Sequence, residues 1–277
     1  MNSERREPVM RRTWLRALPS VALLVVGYFV LGGVLNLFLF HPSAYVAPEI
    51  ERIGERVSYR SEDGVRLTSW WVPARGAHRR TLVYFHGNAS TATELWFWAN
   101  ALADRDTDVL LAEYRGYGES EGTPSASGIE RDARAAIRYL LDERHVPLDR
   151  LIVHGQSLGG AAAITALAGP ASHAAGAILE STFTSLHDMA SAILGIPLTR
   201  IVPEAYALDS AARAPSIHVP VLHFHGDADE VIPFAQGERL SALFPDDHFI
   251  RIPGGTHNLS APSVYAEEFA FIDRVAP

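Results

Sequence analysis

Leu151-Ile152-Val153-His154-Gly155-Gln156-Ser157-Leu158-Gly159 reads as a strand that turns sharply into a helix with a serine at its apex. Leu151 to Val153 is a β-rich apolar run, and the helix-forming run Ala161 to Ala168 begins just after Gly159-Gly160. Only a tight connection fits between them. In a G-x-S-x-G elbow the serine backbone is strained, so the residues two before and two after it must lack bulk, which Gly155 and Gly159 supply. The Ser157 hydroxyl then projects from the turn. The dipole of the following helix and the backbone N–H of Leu158 both face negative charge that develops nearby. A glycine-rich turn without chemistry has the same five residues, so the rest of the chain must supply the partners.

Working outward from this stretch, strand-like and helix-like segments alternate. Arg56 to Arg60 and Val65 to Val72 are joined by Glu62-Asp63-Gly64 and predict a hairpin. Thr81 to Phe85 is continuously apolar, as for a strand buried on both faces. Asp108 to Ala112, Leu151 to Val153, Ala177 to Glu180, Val219 to Phe224 and His248 to Ile252 read as further strands. Helices are expected at Glu94 to Ala103, around Ile129 to Leu140, at Ala161 to Leu167 and at Glu267 to Val275. The alternation implies an α/β class, a mostly parallel twisted sheet with helices on both faces. The interval 182–216 interrupts it with Pro197, Pro203 and Pro215 among apolar residues such as Met189 and Leu198, and reads as a lid-like insertion.

The N-terminus carries something else. Val21 to Phe40 is a run of twenty residues without a charge, about the length that spans a bilayer as a helix. It is preceded by Arg5, Arg6, Arg11, Arg12 and Arg16, so the bias of positive charge puts the N-terminus in the cytoplasm. The run exceeds the apolar core of a secretory signal, and neither Pro42-Ser43-Ala44 nor Tyr45-Val46-Ala47 makes a small-x-small cleavage site. The expected organisation is a basic arm over 1–20, a transmembrane anchor over 21–40, a linker over 41–55 and a globular domain over 56–277 on the extracytoplasmic side, periplasmic or luminal. A formal net charge of −8 argues against a nucleic-acid partner. The chain has no cysteine, which excludes disulfides, thiolate nucleophiles and Cys-ligated zinc.

A serine is a poor nucleophile without a base, and the base works better when a carboxylate orients it. The elbow therefore predicts an acid and then a histidine downstream. Asp227, Asp229 and Glu230 compete for the acid in His225-Gly226-Asp227-Ala228-Asp229-Glu230, which follows a strand. His257, in Pro253-Gly254-Gly255-Thr256-His257-Asn258 after the last strand, is the candidate base, because the other downstream histidine, His248, starts a strand at the wrong end of the sheet. A second oxyanion donor is expected from the turn His86-Gly87-Asn88-Ala89, with the Asn88 backbone N–H favoured. His86, His154, His223 and His225 read as structural histidines. No His-Glu-x-x-His or similar spacing supports a metal, and no cofactor is expected.

Together with the stretch Glu113-Tyr114-Arg115-Gly116-Tyr117-Gly118-Glu119-Ser120-Glu121-Gly122, these motifs resemble, in order, those of the α/β-hydrolase superfamily over roughly residues 55 to 275. The nearest branch is similar to membrane-anchored α/β-hydrolase-domain serine hydrolases, related to serine aminopeptidase-like hydrolases, lysophospholipases and acyl-thioesterases. The resemblance implies Asp229, four residues after His225, as the triad acid, with Ser157 as nucleophile and His257 as base. It makes the Tyr114 to Gly118 stretch structural. Glu113 stands where aspartate is common and Thr256 where alanine or glycine is usual. The implied substrate is a small-molecule or lipid acyl ester or thioester. An aminopeptidase is the enzymatic alternative and needs a carboxylate for the substrate amine, with Glu180, Asp188 and Glu204 as candidates. A silent scaffold is the non-enzymatic one.

Overall fold

The computed structural model describes residues 39–194, 208–259 and 261–277. Apart from its last two residues, the anchor expected over 21–40 lies outside this set, as does the middle of the 182–216 insertion. Among the described residues no helix is long and apolar enough to cross a membrane.

Among the described residues eight strands form one sheet in the order β1-β2-β4-β3-β5-β6-β7-β8. They are β1 (Glu55–Arg60), β2 (Arg66–Val72), β3 (Arg80–Phe85), β4 (Thr107–Ala112), β5 (Leu151–Gln156), β6 (Gly176–Glu180), β7 (Val221–Gly226) and β8 (Asp247–Ile252). The expected hairpin is present: β1 and β2 are antiparallel, and β2 pairs antiparallel with β4. From β4 to β8 every pairing is parallel. β3, β4 and β7 are buried along their whole length, because helices cover the sheet. Side chains alternate between faces, so Ile152 and His154 point one way and Val153 and Gly155 the other. His154 meets Trp98 of the helix Trp96–Ala103 and lies near Glu268 of the helix Pro262–Val275. A Cβ on Gly155 would instead strike Ala163 of the helix Leu158–Leu167 on the opposite face.

The strand order reverses at β3. The chain runs outward from β3 to β4, then crosses back to β5 on the other side. Loops leaving adjacent strands in opposite directions open a crevice at their carboxyl ends, where open α/β sheets bind ligands. His86-Gly87-Asn88 follows β3 and Ser157 follows β5, so both lie at that crevice.

Several boundaries depart from expectation. The stretch 41–55, read as a linker, packs on the domain: Ile50 of the short helix Ile50–Ile53 is fully buried in the main core, and the Ala47 N–H donates to Thr93 Oγ1 at 3.1 Å. The last helix begins at Pro262 rather than Glu267, since a proline in the first turn loses no helical hydrogen bond. A helix at Phe234–Ser241 escapes the sequence reading, because Pro233 and Gly237 imitate turn signals. In the insertion, Leu186–Leu194 and Ser210–Arg213 are helical.

Arg115 anchors the Tyr114 to Gly118 stretch. Its buried guanidinium donates to Asp132 at 2.8 Å and to Asp63 at 2.8 Å, and a third contact reaches Ser61 at 3.1 Å. Gly116 and Gly118 take positive φ, 78° and 52°, to turn the chain around it. Removing one partner of a buried ion pair strands the other, so Asp132→Ala is expected to lower the unfolding free energy by about 3–5 kcal/mol in urea denaturation. The hydrogen bond from Arg115 first, and the Arg115 and Arg131 charges after it, hold Asp63 down to about 2 against an ordinary 3.8, with burial opposing. A depressed carboxylate stabilises the fold above its unfolded value and loses that contribution as pH falls through the folded one. The stability advantage of wild type over Asp63→Asn is therefore expected to shrink between about pH 5 and about pH 2, read as the difference in urea midpoint.

Candidate active site

Ser157 sits between β5 and the helix Leu158–Leu167 with φ 54° and ψ −116°, a conformation that L residues rarely hold. Neighbouring groups pin its backbone on both sides. The Ser157 N–H donates to the Glu180 carbonyl at 2.8 Å, and its own carbonyl accepts from Thr182 Oγ1 at 2.9 Å and from the Gly160 N–H at 2.9 Å. The glycines are required by close approach: a Cβ on Gly155 would lie 2.2 Å from the Gly159 carbonyl oxygen, and one on Gly159 would lie 1.9 Å from that of Phe85. Leu158 opens the helix, so its N–H has no acceptor one turn back.

The loop after β3 meets the elbow. Tyr114 Oη donates to the His86 carbonyl at 3.0 Å, and His86 Nε2 lies 3.1 Å from Glu113. Glu113 Oε1 also accepts from the Ala92 N–H at 2.8 Å, so the longer acid at this position is still tied to the following loop. Asn88 Oδ1 accepts from Tyr117 Oη at 2.7 Å and from the His41 N–H at 3.0 Å. Ala89 takes a positive φ of 60°, which bends this loop, and it lines the same cavity as Ser157.

Asp229 and His257 come together from the loops after β7 and β8. His257 Nδ1 lies 2.9 Å from Asp229 Oδ2 and 3.1 Å from Oδ1. Asp229 Oδ1 accepts from the N–H groups of Val231 and Ile232, each at 2.8 Å, and the carboxylate is fully buried. Burial alone would raise this carboxyl, but hydrogen bonds from His225, His257 and the two amides outweigh it and hold the group well below the usual carboxylate range. Asp227, the competing acid, pairs instead with Arg251 at 2.8 Å and accepts from the Gly254 N–H at 2.6 Å. It thus ties the loop that carries His257. Glu230 is exposed.

Ser157 and His257 line one cavity of about 560 Å³, with Asn88, Gln156 and Leu259 among its walls. Phe97, 46% exposed, and Tyr265 form part of its apolar side. Of the three carboxylates considered for an amine, Glu180 lines this cavity. Asp188 pairs with Arg239 and Thr184, and Glu204 lies outside the described residues. His154 and Glu268 line the cavity too, and no sequence motif marks either as part of a site. One sign was available: Glu268 shares a helical stripe with Val264, Phe271 and Ile272, all buried, and a carboxyl is out of place there. Burial first, then the charge of Glu180, pushes the Glu268 carboxyl well above its usual range.

A sheet with this crossover and a strained serine elbow defines an α/β-hydrolase fold. The sequence pattern described as serine aminopeptidase, S33, matches residues 76–210. YfhR of Salmonella typhi is 32% identical over 266 residues, covering 89% of each chain. The alpha/beta hydrolase domain-containing protein WAV2 of Arabidopsis thaliana is 31% identical over 250 residues, covering 81% of this chain and 80% of that one. Protein bem46 of Schizosaccharomyces pombe is 31% identical over 79% of both chains. An esterase of Pyrococcus furiosus shares the fold with a TM-score of 0.69 at 18% identity, over 86% of this chain and 98% of its own. The chain belongs to the α/β-hydrolase family, among the relatives of bem46 and WAV2.

Because Gly159 lies against the Phe85 backbone rather than against a yielding side chain, Gly159→Ala is expected to lose at least about 3 kcal/mol of stability, seen as an early thermal transition.

Proposed function

We propose that the chain is a membrane-anchored serine hydrolase that cleaves acyl esters or thioesters, with a lipid-like monoester or lysophospholipid as the favoured substrate. The observation that carries this reading is the strained Ser157 sharing one cavity with His257, whose Nδ1 Asp229 holds. His257 takes the Ser157 proton as Oγ attacks the acyl carbonyl. Asp229 keeps the imidazole in the tautomer that presents Nε2 and stabilises its charged form. The N–H groups of Leu158 and Asn88 stabilise the oxyanion. Collapse of the tetrahedral adduct releases the alcohol or thiol, which takes its proton from His257. Water then attacks the acyl-enzyme, with His257 again as base, and frees the acid and Ser157.

The acyl preference is supported by the apolar side of the cavity at Phe97, Leu95 and Leu259. The uncharged run Val21 to Phe40 supports an N-terminal anchor, with the arm cytoplasmic and the site on the periplasmic or luminal side. A substrate already in the bilayer would then be close to the site.

Wild type is expected to react with a fluorophosphonate probe, and Ser157→Ala to lose labelling altogether. Asp229→Ala should lower kcat on a p-nitrophenyl ester by about four orders of magnitude while Asp227→Ala keeps most of it. Labelling that survives in Ser157→Ala defeats the assignment. Across a chain-length series of such esters, activity is expected to rise from acetyl toward long acyl groups. Turnover of aminoacyl anilides in preference to esters would favour the peptidase alternative instead.

A further inference from the structure

The cavity lined by Ser157 and His257 is lined also by a cluster that the hydrolytic reading leaves without a task. His154 Nε2 lies 2.5 Å from Glu180 Oε1 and 3.9 Å from Glu268 Oε1. One donor atom from each of the three side chains falls within 4.8 Å of the other two. All three residues are buried, at 1%, 8% and 1% exposure.

Each donor is held by a different element. His154 stands on β5, its ring edge-on to Tyr84 at 5.1 Å and to Trp98 at 5.0 Å. Glu180 ends β6, and its backbone carbonyl is the acceptor for Ser157. Glu268 Oε2 accepts from Trp98 Nε1 at 2.9 Å, whereas its Oε1 is buried without a hydrogen-bond partner. A buried oxygen left without a partner is unfavourable. One carboxylate oxygen fixed by an indole N–H and the other left open toward an imidazole and a second carboxylate is how a metal-binding glutamate is oriented.

We propose that His154 Nε2, Glu180 and Glu268 form a binding site for a divalent metal ion of the zinc class, opening onto the cavity that contains Ser157. One imidazole and two carboxylates suit zinc and its neighbours, whereas calcium and magnesium favour oxygen donors alone. Metal–ligand bonds of about 2.0–2.2 Å space tetrahedral donors about 3.2–3.6 Å apart. The distances of 2.5 and 3.9 Å from His154 straddle that spacing, so modest rotations of the two glutamates complete the set. Three protein donors leave a coordination position for water or an oxygen of a bound substrate. The dication also offsets two carboxylates that share one buried pocket.

Full-length protein stripped with a chelator and titrated with zinc alone by calorimetry tests the site. One equivalent is expected to bind, and metal analysis after gel filtration should find the same stoichiometry. Glu268→Gln retains an acceptor for Trp98 and should weaken binding at least tenfold. Trp98→Phe, which removes the orienting N–H, should weaken it by about 10–100-fold. Ser157→Ala should bind zinc as wild type does, so the site stands or falls separately from the hydrolytic reading. Folded wild type that takes up no zinc overturns the proposal whatever the variants do. So does binding that survives Glu268→Gln and vanishes in His257→Ala, which would put the ion at the His257–Asp229 pair.

Discussion

The close approach of the Gly159 backbone to the end of β3 is the contact on which the site depends. A side chain at either elbow glycine would overlap a backbone carbonyl, so the turn exists only because both are absent. That contact draws the loop after β3 against the loop after β5, the two connections that leave adjacent strands in opposite directions. Ser157 is strained as a result, and four neighbours share the task of holding it: Glu180 through its carbonyl, Thr182 through its hydroxyl, and the two glycines through their lack of bulk.

A second pair of loops repeats the device. A Cβ on Gly226 would lie 2.1 Å from the Gly255 carbonyl oxygen, and the Ala228 N–H donates to that oxygen at 3.0 Å. The segment carrying Asp229 is thereby sewn to the one carrying His257. Asp227 contributes through Gly254 and Arg251, which makes the competing acid part of the scaffold of the chosen one. Buried carboxylates recur in this protein with different partners. Asp229 accepts from imidazole and amide donors that hold it below the usual carboxylate range, whereas burial and the neighbouring Glu180 charge push Glu268 above it.

Much of this was legible in the chain itself. The alternation of buried strands and amphipathic helices has a period that solvent exposure imposes, so it specified the sheet, its hairpin and the elbow. The order of Ser157, Asp229 and His257 follows from loops that return to one edge of a parallel sheet. Local signals failed where two meanings share a residue: Pro233 and Gly237 mark turns elsewhere but belong to a helix and its start here. They also failed at residues 41–55, where two prolines suggest a linker but Ile50 is buried in the core.

What the sequence determined, then, was each element and the residue types placed at its ends, because those depend on neighbours within a few positions. Tertiary structure decided which side chains meet. Asp229 rather than Asp227 reaches His257 because of how two loops pack, and their spacing along the chain does not encode it. His154, Glu180 and Glu268 lie on three elements up to 114 residues apart and converge only because β5 and β6 are neighbours under the last helix. No motif marks such a cluster, since its members are brought together by the sheet's strand order rather than by any local pattern.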